Sequence, residues 1–493
     1  MSKLTNKQFF FLILGLIILC EIISFTGFFA PLVVNIFTAL VVIATIFITL
    51  HKSAYGFLIL LAELIIGSQG YLLWIGQAGN HISLRIALWL VVMVIWLTKE
   101  LTELIKTKKL AKHFKGFTAY FPFLLLLVAL IIALINGFLN QHDSTLIFIE
   151  AKRWLYIIAI IPLVICLKDE KLRQDFTSVI SASAIWVALK TLILLYIFSH
   201  GLNLATDIYA WTRADLLGEI TKLPNGFSRV FLQSQVFIIP AFIFSLAIFF
   251  KVLFIRKWQV SKQAVLYGLT SALFLAVILT SLSRSFWFGL TISLIFVAFL
   301  IIFFIRPKIK NLFKALLGLI SVLLATLIIL FITLEFPIPK PLFSFNASVL
   351  SDRASEADPA SDSRWALLPV MNNEILKQPI LGFGFGKTLT YKSSDPRVVK
   401  SSIDGTYTTN AFEWGWLDLW LKLGALGIIA YLWLLLAICQ SAILKIKTNP
   451  YRALASIASI LALVGLNVFT PYLNHPLGFA YLGIIMIILG RED

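Results

Sequence analysis

For most of its length the chain alternates between long apolar runs and short polar breaks. Apolar runs of about 18 residues or more are the signature of helices that cross a bilayer, not of the broken pattern of a soluble core. About fourteen spans are predicted, near 8–25, 31–50, 54–66, 82–98, 117–136, 154–167, 178–198, 230–250, 262–280, 286–305, 313–334, 416–439, 452–470 and 476–490. The third and sixth are short, and "GSQGYLLWIG" after the third reads as a re-entrant or interfacial segment. The expected class is an all-α integral membrane protein of about 12–14 transmembrane helices. Its expected organisation is a helical region 1–334 that includes an outer loop at 199–229, a large late outer loop at 335–415, and closing helices over 416–493.

The late loop is the main departure from the hydrocarbon pattern. "SDRASEADPASDS" is polar and disorder-like, but Trp365, Leu367, Leu368, Val370, Met371, Ile375 and Leu376 follow at helical spacing after a Ser361/Asp362/Ser363 cap signal. A short amphipathic helix on the outer surface is therefore expected, ended by Pro379 and the glycines at 382, 384 and 386. That glycine run is either a plain turn or a set of amides offered to phosphate. Lys387, Lys392, Arg397 and Lys400 follow as a basic patch.

The formal net charge of +17 raises nucleic acid as a partner, but placing the charges removes that reading. Lys3, Lys7, Lys52, the cluster Lys99 to Lys115, Lys168 to Arg173, Lys251 to Lys262, Arg306 to Lys314 and Lys445 to Arg452 all fall on one side of the alternating spans. By the positive-inside rule this side, with both termini, is cytoplasmic. More than half of the 41 Lys and Arg are thus orientation charges, assisted by anionic membrane lipid. The first apolar run lacks a small-residue cleavage pattern and is expected to be a retained helix. Cys20, Cys166 and Cys439 lie far apart inside apolar runs and are expected to be packing residues. Asp352, Asp358 and Asp362 form no metal-ligand pattern.

Charges inside the spans carry more information, because each is costly in lipid without a partner. Arg85 stands near an outer helix end, where snorkelling would serve it, and Glu21 is a further such charge. Glu63 and Lys190 lie deeper, where an ion pair between them would offset the cost. Arg284, in the very tight outer turn "TSLSRSFWFG", has hydroxyls and aromatic rings around it and is placed to grip phosphate bidentately or to anchor at the interface. Arg364 stands at the start of the loop helix, where N-terminal amides add to anion attraction. Arg229, in "PNGFSR", is a third outer arginine.

These pieces in this order resemble the O-antigen ligase and polymerase superfamily. The "SRS" turn is followed by "RW", "QPILGFGFG" and "TNAFEWGWLDLWLKLGALG", and the likeness is clearest over 280–290 and 360–430. The resemblance implies a metal-independent, cofactor-free glycosyltransferase on the outer face of a bacterial cytoplasmic (inner) membrane. The donor would be an undecaprenyl-diphosphate-linked oligosaccharide, and a chain-length regulator or other polysaccharide-assembly proteins would be partners. By motif position Arg284 and Arg364 are the catalytic candidates that contact the donor diphosphate. Arg229, Tyr407, Asn410 and Lys387 are the substrate-binding candidates.

Two departures lean the reading towards polymerase. Ligases of this family place a histidine just before the asparagine, but "GTYTTN" has Tyr407 and Thr409 before Asn410, and 335–415 contains no histidine. Lys422 replaces the glutamate of "E-x-G-x-x-G", and the spacing from Asn410 to Gly424 is about one helical turn longer than the pattern. Glu413 and Asp404 are then the candidate bases, with His475 in the last outer turn as another. A ligase with a separate acceptor and a lipid-oligosaccharide flippase remain alternatives, although no internal repeat supports the flippase. A non-catalytic scaffold would account for the loop but not for Arg284 in its turn.

Overall fold

The computed structural model of the chain describes residues 5–77, 80–107, 120–167, 169–223, 226–255, 261–302, 308–342, 359–393, 395, 399 and 405–490. Its helices are α1 (Asn6–Phe29), α2 (Pro31–His51), α3 (Ser53–Ile66), α4 (Leu84–Thr107), α5 (Tyr120–Leu139), α6 (Ser144–Ile158), α7 (Ile160–Cys166), α8 (Glu170–Ser199) and α9 (Ala205–Ala214). They continue as α10 (Ile238–Ile255), α11 (Lys262–Thr280), α12 (Arg284–Leu300), α13 (Ile309–Leu334), α14 (Pro359–Ile375), α15 (Gly415–Leu444), α16 (Pro450–Phe469) and α17 (Pro476–Leu489). Each predicted span overlaps one or more of these helices, although 230–250 opens as extended chain and a 3-10 turn before α10 starts at Ile238. Span 154–167 is divided between α6 and α7, because Pro162 has no amide to give the carbonyl of Ile158. Among the described residues, nine helices are long and apolar enough to cross a membrane, and α3, α12 and α17 are shorter apolar helices. The chain is an all-α integral membrane protein.

Its apolar residues face outwards to a degree that water would not permit. On α13, Leu327, Ile328, Phe331 and Ile332 are exposed while Val322, Thr326 and Leu330 are buried. On α1 the inward stripe is Phe9, Ile17, Glu21, Ser24 and Gly27. With lipid as solvent, hydrocarbon side chains gain nothing by turning inwards, so small and polar residues take the helix contacts. α12 and α16 meet in this way: a Cβ at Gly465 would sit 2.9 Å from the Gly289 Cα, and one at Gly289 would sit 2.6 Å from the Ala462 carbonyl.

Contacts at one end of the bundle tie the basic loops to both terminal helices. Asn6 bonds Gln174, Lys52 pairs with Asp169, Arg173 donates to the Gly490 carbonyl and Lys445 to that of Leu489. At the opposite end lie three two-stranded antiparallel hairpins: β1 (Trp74–Gln77) with β2 (Asn80–Ser83), β3 (Gly218–Lys222) with β4 (Ser228–Leu232), and β5 (Leu389–Lys392) with β6 (Thr406–Thr409). The first hairpin grows out of "GSQGYLLWIG", which runs as turns and extended chain, with Asn35 of α2 bonding both the amide and the carbonyl of Gly76.

The intramembrane charges pair otherwise than expected. Glu63 and Lys190 are not partners. Arg85 donates through Nε to Glu63 at 2.8 Å, and Lys190 donates to both oxygens of Glu21 at 2.9 Å. All four are buried, so Arg85 does not snorkel. Trp186 Nε1 also reaches Glu21, and the Lys190 ammonium lies 5.0 Å from the centre of the Trp211 ring, so the pair is solvated by protein where water is absent.

The late loop contains α14, which starts two residues before the cap signal, at Pro359. Leu367, Met371 and Ile375, spaced one turn apart, form its buried stripe against Phe412, Trp414 and Leu421, while Trp365 stays exposed. Asp352 and Asp358 lie outside the described residues, as do Arg397 and Lys400 of the basic patch.

Candidate functional site

The turn that carries Arg284 is as tight as its sequence suggests. α11 ends at Thr280, Leu282 takes a positive φ of 48°, and Arg284 opens α12. The flanking hydroxyls serve the turn: Ser283 and Ser285 bond each other at 3.0 Å, and Thr470 at the end of α16 donates to Ser285 at 3.1 Å. Hairpin β3–β4 presses on the same turn. Arg229 donates through Nε to the Ser281 carbonyl at 2.8 Å and stacks over Phe231, whose ring meets Phe286. Arg229 and the Arg284 turn therefore share one corner.

The second half of the site is built on α14. Arg364 is half-exposed, forms an ion pair with Glu413, and offers its carbonyl to Trp414 Nε1 at 2.9 Å. Trp414 stands edge-on to Trp365 at 5.0 Å and packs on Phe469 at 5.5 Å, and Phe469 meets Phe288 of α12 at 5.3 Å. Phe288 lies one helical turn beyond Arg284. The two arginine-bearing segments, some eighty residues apart in sequence, thus meet on opposite sides of Phe469 and Thr470.

The other sequence candidates are distributed unevenly. Tyr407 is exposed on β6 opposite Tyr391, whose hydroxyl bonds Ser363 beside Arg364, so it borders this half of the site. Lys387 lies elsewhere, 3.2 Å from Glu374 and over the Phe383 ring, engaged with the protein's own groups. Hydrogen bonding from Lys377 and then Lys387 holds the Glu374 carboxyl below its ordinary range. Asn410 points inwards, its amide on Glu150 at 3.1 Å and its carbonyl taking Lys422 Nζ at 3.0 Å. Asp404 lies outside the described residues. His475 caps α17, accepting from the Leu477 amide, and burial pushes its imidazole down to about 3, with Arg85 and Arg153 adding to the effect. Its ring is neutral and serves the turn.

The glycine run is structural. α15 breaks at Gly424, which has φ 67° and ψ −173°, a conformation that only glycine adopts readily. In an unbroken helix the amides of Ala425 and Leu426 would bond the carbonyls of Leu421 and Lys422. Instead, Ala425 and Leu426 donate to Pro379 and Ile380, while Phe383 and Gly384 donate to Leu421 and Lys422. The loop is spliced into the helix, so the break leaves these four groups bonded. Gly382 donates to Gln378, Phe385 to Ala133 and Gly386 to Glu150, so all five amides of 382–386 are used within the protein.

Beneath this splice lies a cluster the sequence did not reveal. Glu150, Arg153, Asp418, Lys422 and Asn474 line a small cavity of about 20 Å³, room for about one water. Lys422 lies 2.9 Å from Glu150 and 2.7 Å from Asp418, and Asn474 donates to Asp418. A signal was present, since Ile147, Glu150 and Trp154 fall at i, i+3 and i+7 on one buried face of α6. It was obscured because "IEAKRW" reads as a polar end to the next span. Among the described residues, no group of three His, Cys, Asp or Glu is arranged to hold a metal ion.

A family model described as O-antigen ligase matches residues 269–432. This segment is similar to that family. The matched segment runs from α11 through the large loop into α15, so it contains the Arg284 turn, the Arg364 helix and the glycine splice, while Arg229 and Glu150 lie before it. The similarity covers about a third of the chain. No curated protein matches the chain.

Proposed function

We propose that the chain is a membrane glycosyltransferase of the O-antigen ligase and polymerase type, working at the end of the bundle opposite the basic loops, on the outer face of a bacterial cytoplasmic membrane. The observation that carries this reading is the meeting of the Arg284 turn and the Arg364 helix, both within the segment similar to O-antigen ligase, at Phe469 and Thr470. The donor is an undecaprenyl-diphosphate-linked oligosaccharide. An acceptor hydroxyl oxygen bonds the anomeric carbon, the bond from that carbon to the diphosphate breaks, and the leaving diphosphate keeps the electron pair. Arg284 and Arg364 grip the diphosphate and stabilise the charge it gains, with Arg229 in support. The hydroxyl proton passes to a carboxylate, Glu413 or Asp404, for which Glu413 must exchange its bond to Arg364. This scheme places the charge stabilisation on guanidinium groups and needs no divalent metal.

The absence of a histidine from 335–415 and the presence of Lys422 favour polymerisation onto a second lipid-linked glycan, with a chain-length regulator as a fitting partner. The description of the matched family favours the second reading, transfer to a separate acceptor. Purified protein in lipid vesicles, given undecaprenyl-diphosphate-linked oligosaccharide without added metal, should release undecaprenyl diphosphate. A ladder of multiples identifies a polymerase, and a single transfer to a supplied acceptor identifies a ligase. Arg284→Ala and Arg364→Ala should each lower turnover at least about 100-fold at normal expression. Unchanged turnover in both would remove the site assignment, and movement of lipid-linked glycan across the vesicle without bond formation would replace the reading with a flippase.

A further inference from the structure

Four segments distant in sequence meet at Glu150. Its Oε1 accepts from Lys422 Nζ at 2.9 Å and from Asn410 Nδ2 at 3.1 Å, and its Oε2 accepts from the Gly386 amide at 3.0 Å. Lys422 Nζ also donates to the Asn410 carbonyl at 3.0 Å and lies 2.7 Å from Asp418 Oδ1, while Asn474 donates to Asp418 Oδ2. Glu150, Asp418 and Lys422 are only 4%, 2% and 7% exposed. Buried ion clusters are on average no more stabilising than well-packed apolar side chains of the same volume. Stability alone therefore does not explain why Glu150, Lys422 and Asp418 form one cluster between Asn410, Asn474 and the Gly386 turn.

We propose that Glu150, acting with Lys422, is a positioning residue that sets the two arginine-bearing segments against each other, an inference that rests on the glycosyltransferase reading above. The route is continuous. Asn410, held at both its amide and its carbonyl, lies three residues before Glu413, the ion-pair partner of Arg364, and four before Trp414, which bonds the Arg364 carbonyl. Gly386 closes the splice that follows α14, the helix carrying Arg364. On the other side, Asp418 and Asn474 tie the cluster to the turn after α16, where Thr470 bonds Ser285 next to Arg284. Glu150 touches neither arginine. It acts through backbone that the arginines depend on.

Two variants test this in the full-length protein. Glu150→Gln keeps the shape of the side chain but loses its charge and turns an amide towards the Gly386 N–H, and Lys422→Met removes the ammonium. Each should lower kcat about 10- to 100-fold, the cost of a displacement of about 1 Å, while the KM for the lipid-linked donor changes less than about 2-fold. Trp414→Phe deletes the bond to the Arg364 carbonyl and should lower turnover partially. Combined with Glu150→Gln it should lose less than the product of the two single effects, because both act on one arrangement. Fully multiplicative losses would overturn the inference.

A second measurement does not need activity. With Cys20, Cys166 and Cys439 changed to Ala, spin labels at the exposed positions Thr408 and Leu139 should report a narrow distance distribution. Glu150→Gln and Lys422→Met should both broaden it. Broadening in a protein that shows no transfer would uphold the positioning role while the glycosyltransferase reading fell, and a distribution left narrow by both variants would sink the positioning role whatever the turnover.

Discussion

Lys190 and Arg85 show how a buried charge selects its partner. Position along a span gives the depth of each charge, and on depth alone Glu63 suits Lys190. The neighbours are set by helix contacts instead: α8 packs on α1 and brings Lys190 to Glu21, while α3 packs on α4 and brings Glu63 to Arg85. A third acid near the first pair has a measurable consequence. Burial pushes the Asp215 carboxyl up to about 6, against hydrogen bonds from Trp74 and Ser24 that pull it down. A folded-state value above the ordinary carboxylate value means that the stabilising contribution is complete below about pH 4 and is lost as pH rises through about 6. Asp215→Asn cannot ionise, so at pH 8 it should unfold at a higher temperature than the parent, by the equivalent of about 1–3 kcal/mol, with the difference vanishing near pH 4. Melts in detergent at the two pH values decide the matter, and an equal difference at both would contradict the assignment.

α15 is the element in which local sequence and final structure differ most. Its apolar run predicts one continuous span over 416–439, yet the helix breaks at Gly424 and takes the 379–384 segment into the gap. The glycines at 382 and 384 were visible as turn residues and Gly424 was not, but the constraint on all three is backbone meeting backbone. A Cβ at Gly424 would lie 2.2 Å from the Ile380 carbonyl, and one at Gly384 would lie 2.2 Å from the Gly137 amide. Gly424→Ala adds both that clash and a strained backbone, and should destabilise the protein by about 2–4 kcal/mol. Thermal unfolding should show the loss, and limited proteolysis should show the large loop cut faster. A variant with the parent's melting temperature and cleavage rate would mean that the splice does not hold the loop. α14, by contrast, was legible as an amphipathic helix to within two residues of its start, because Leu367, Met371 and Ile375 repeat at helical spacing.

The bundle as a whole has two chemically distinct ends. One gathers the described basic loops with both terminal helices, and the other gathers the hairpins, the loop helix α14 and Arg229, Arg284 and Arg364. The positive-inside rule assigns the first end to the cytoplasm. A single cysteine at Thr408, in a cysteine-free background, should therefore react with a membrane-impermeant maleimide from outside intact cells, and one at Ile309 only after the membrane is opened. Labelling in the reverse pattern would invert the topology and move the proposed site to the cytoplasmic face.

Hydropathy was enough to mark the apolar helices and the position of the loop helix, charge gave the expected direction of the bundle, and short motifs singled out the two arginine segments. These are properties of short windows, since a helix rises 1.5 Å per residue and lipid selects on local composition. The partners of the buried charges, the break at Gly424, the inward turn of Asn410 and the role of Glu150 depended on which helices became neighbours. Helix axes that pack 8–10 Å apart bring together residues separated by hundreds of positions, and no window along the chain records that choice. Glu150 lies outside the matched segment altogether, yet its carboxylate holds that segment's glycine turn and asparagine in place.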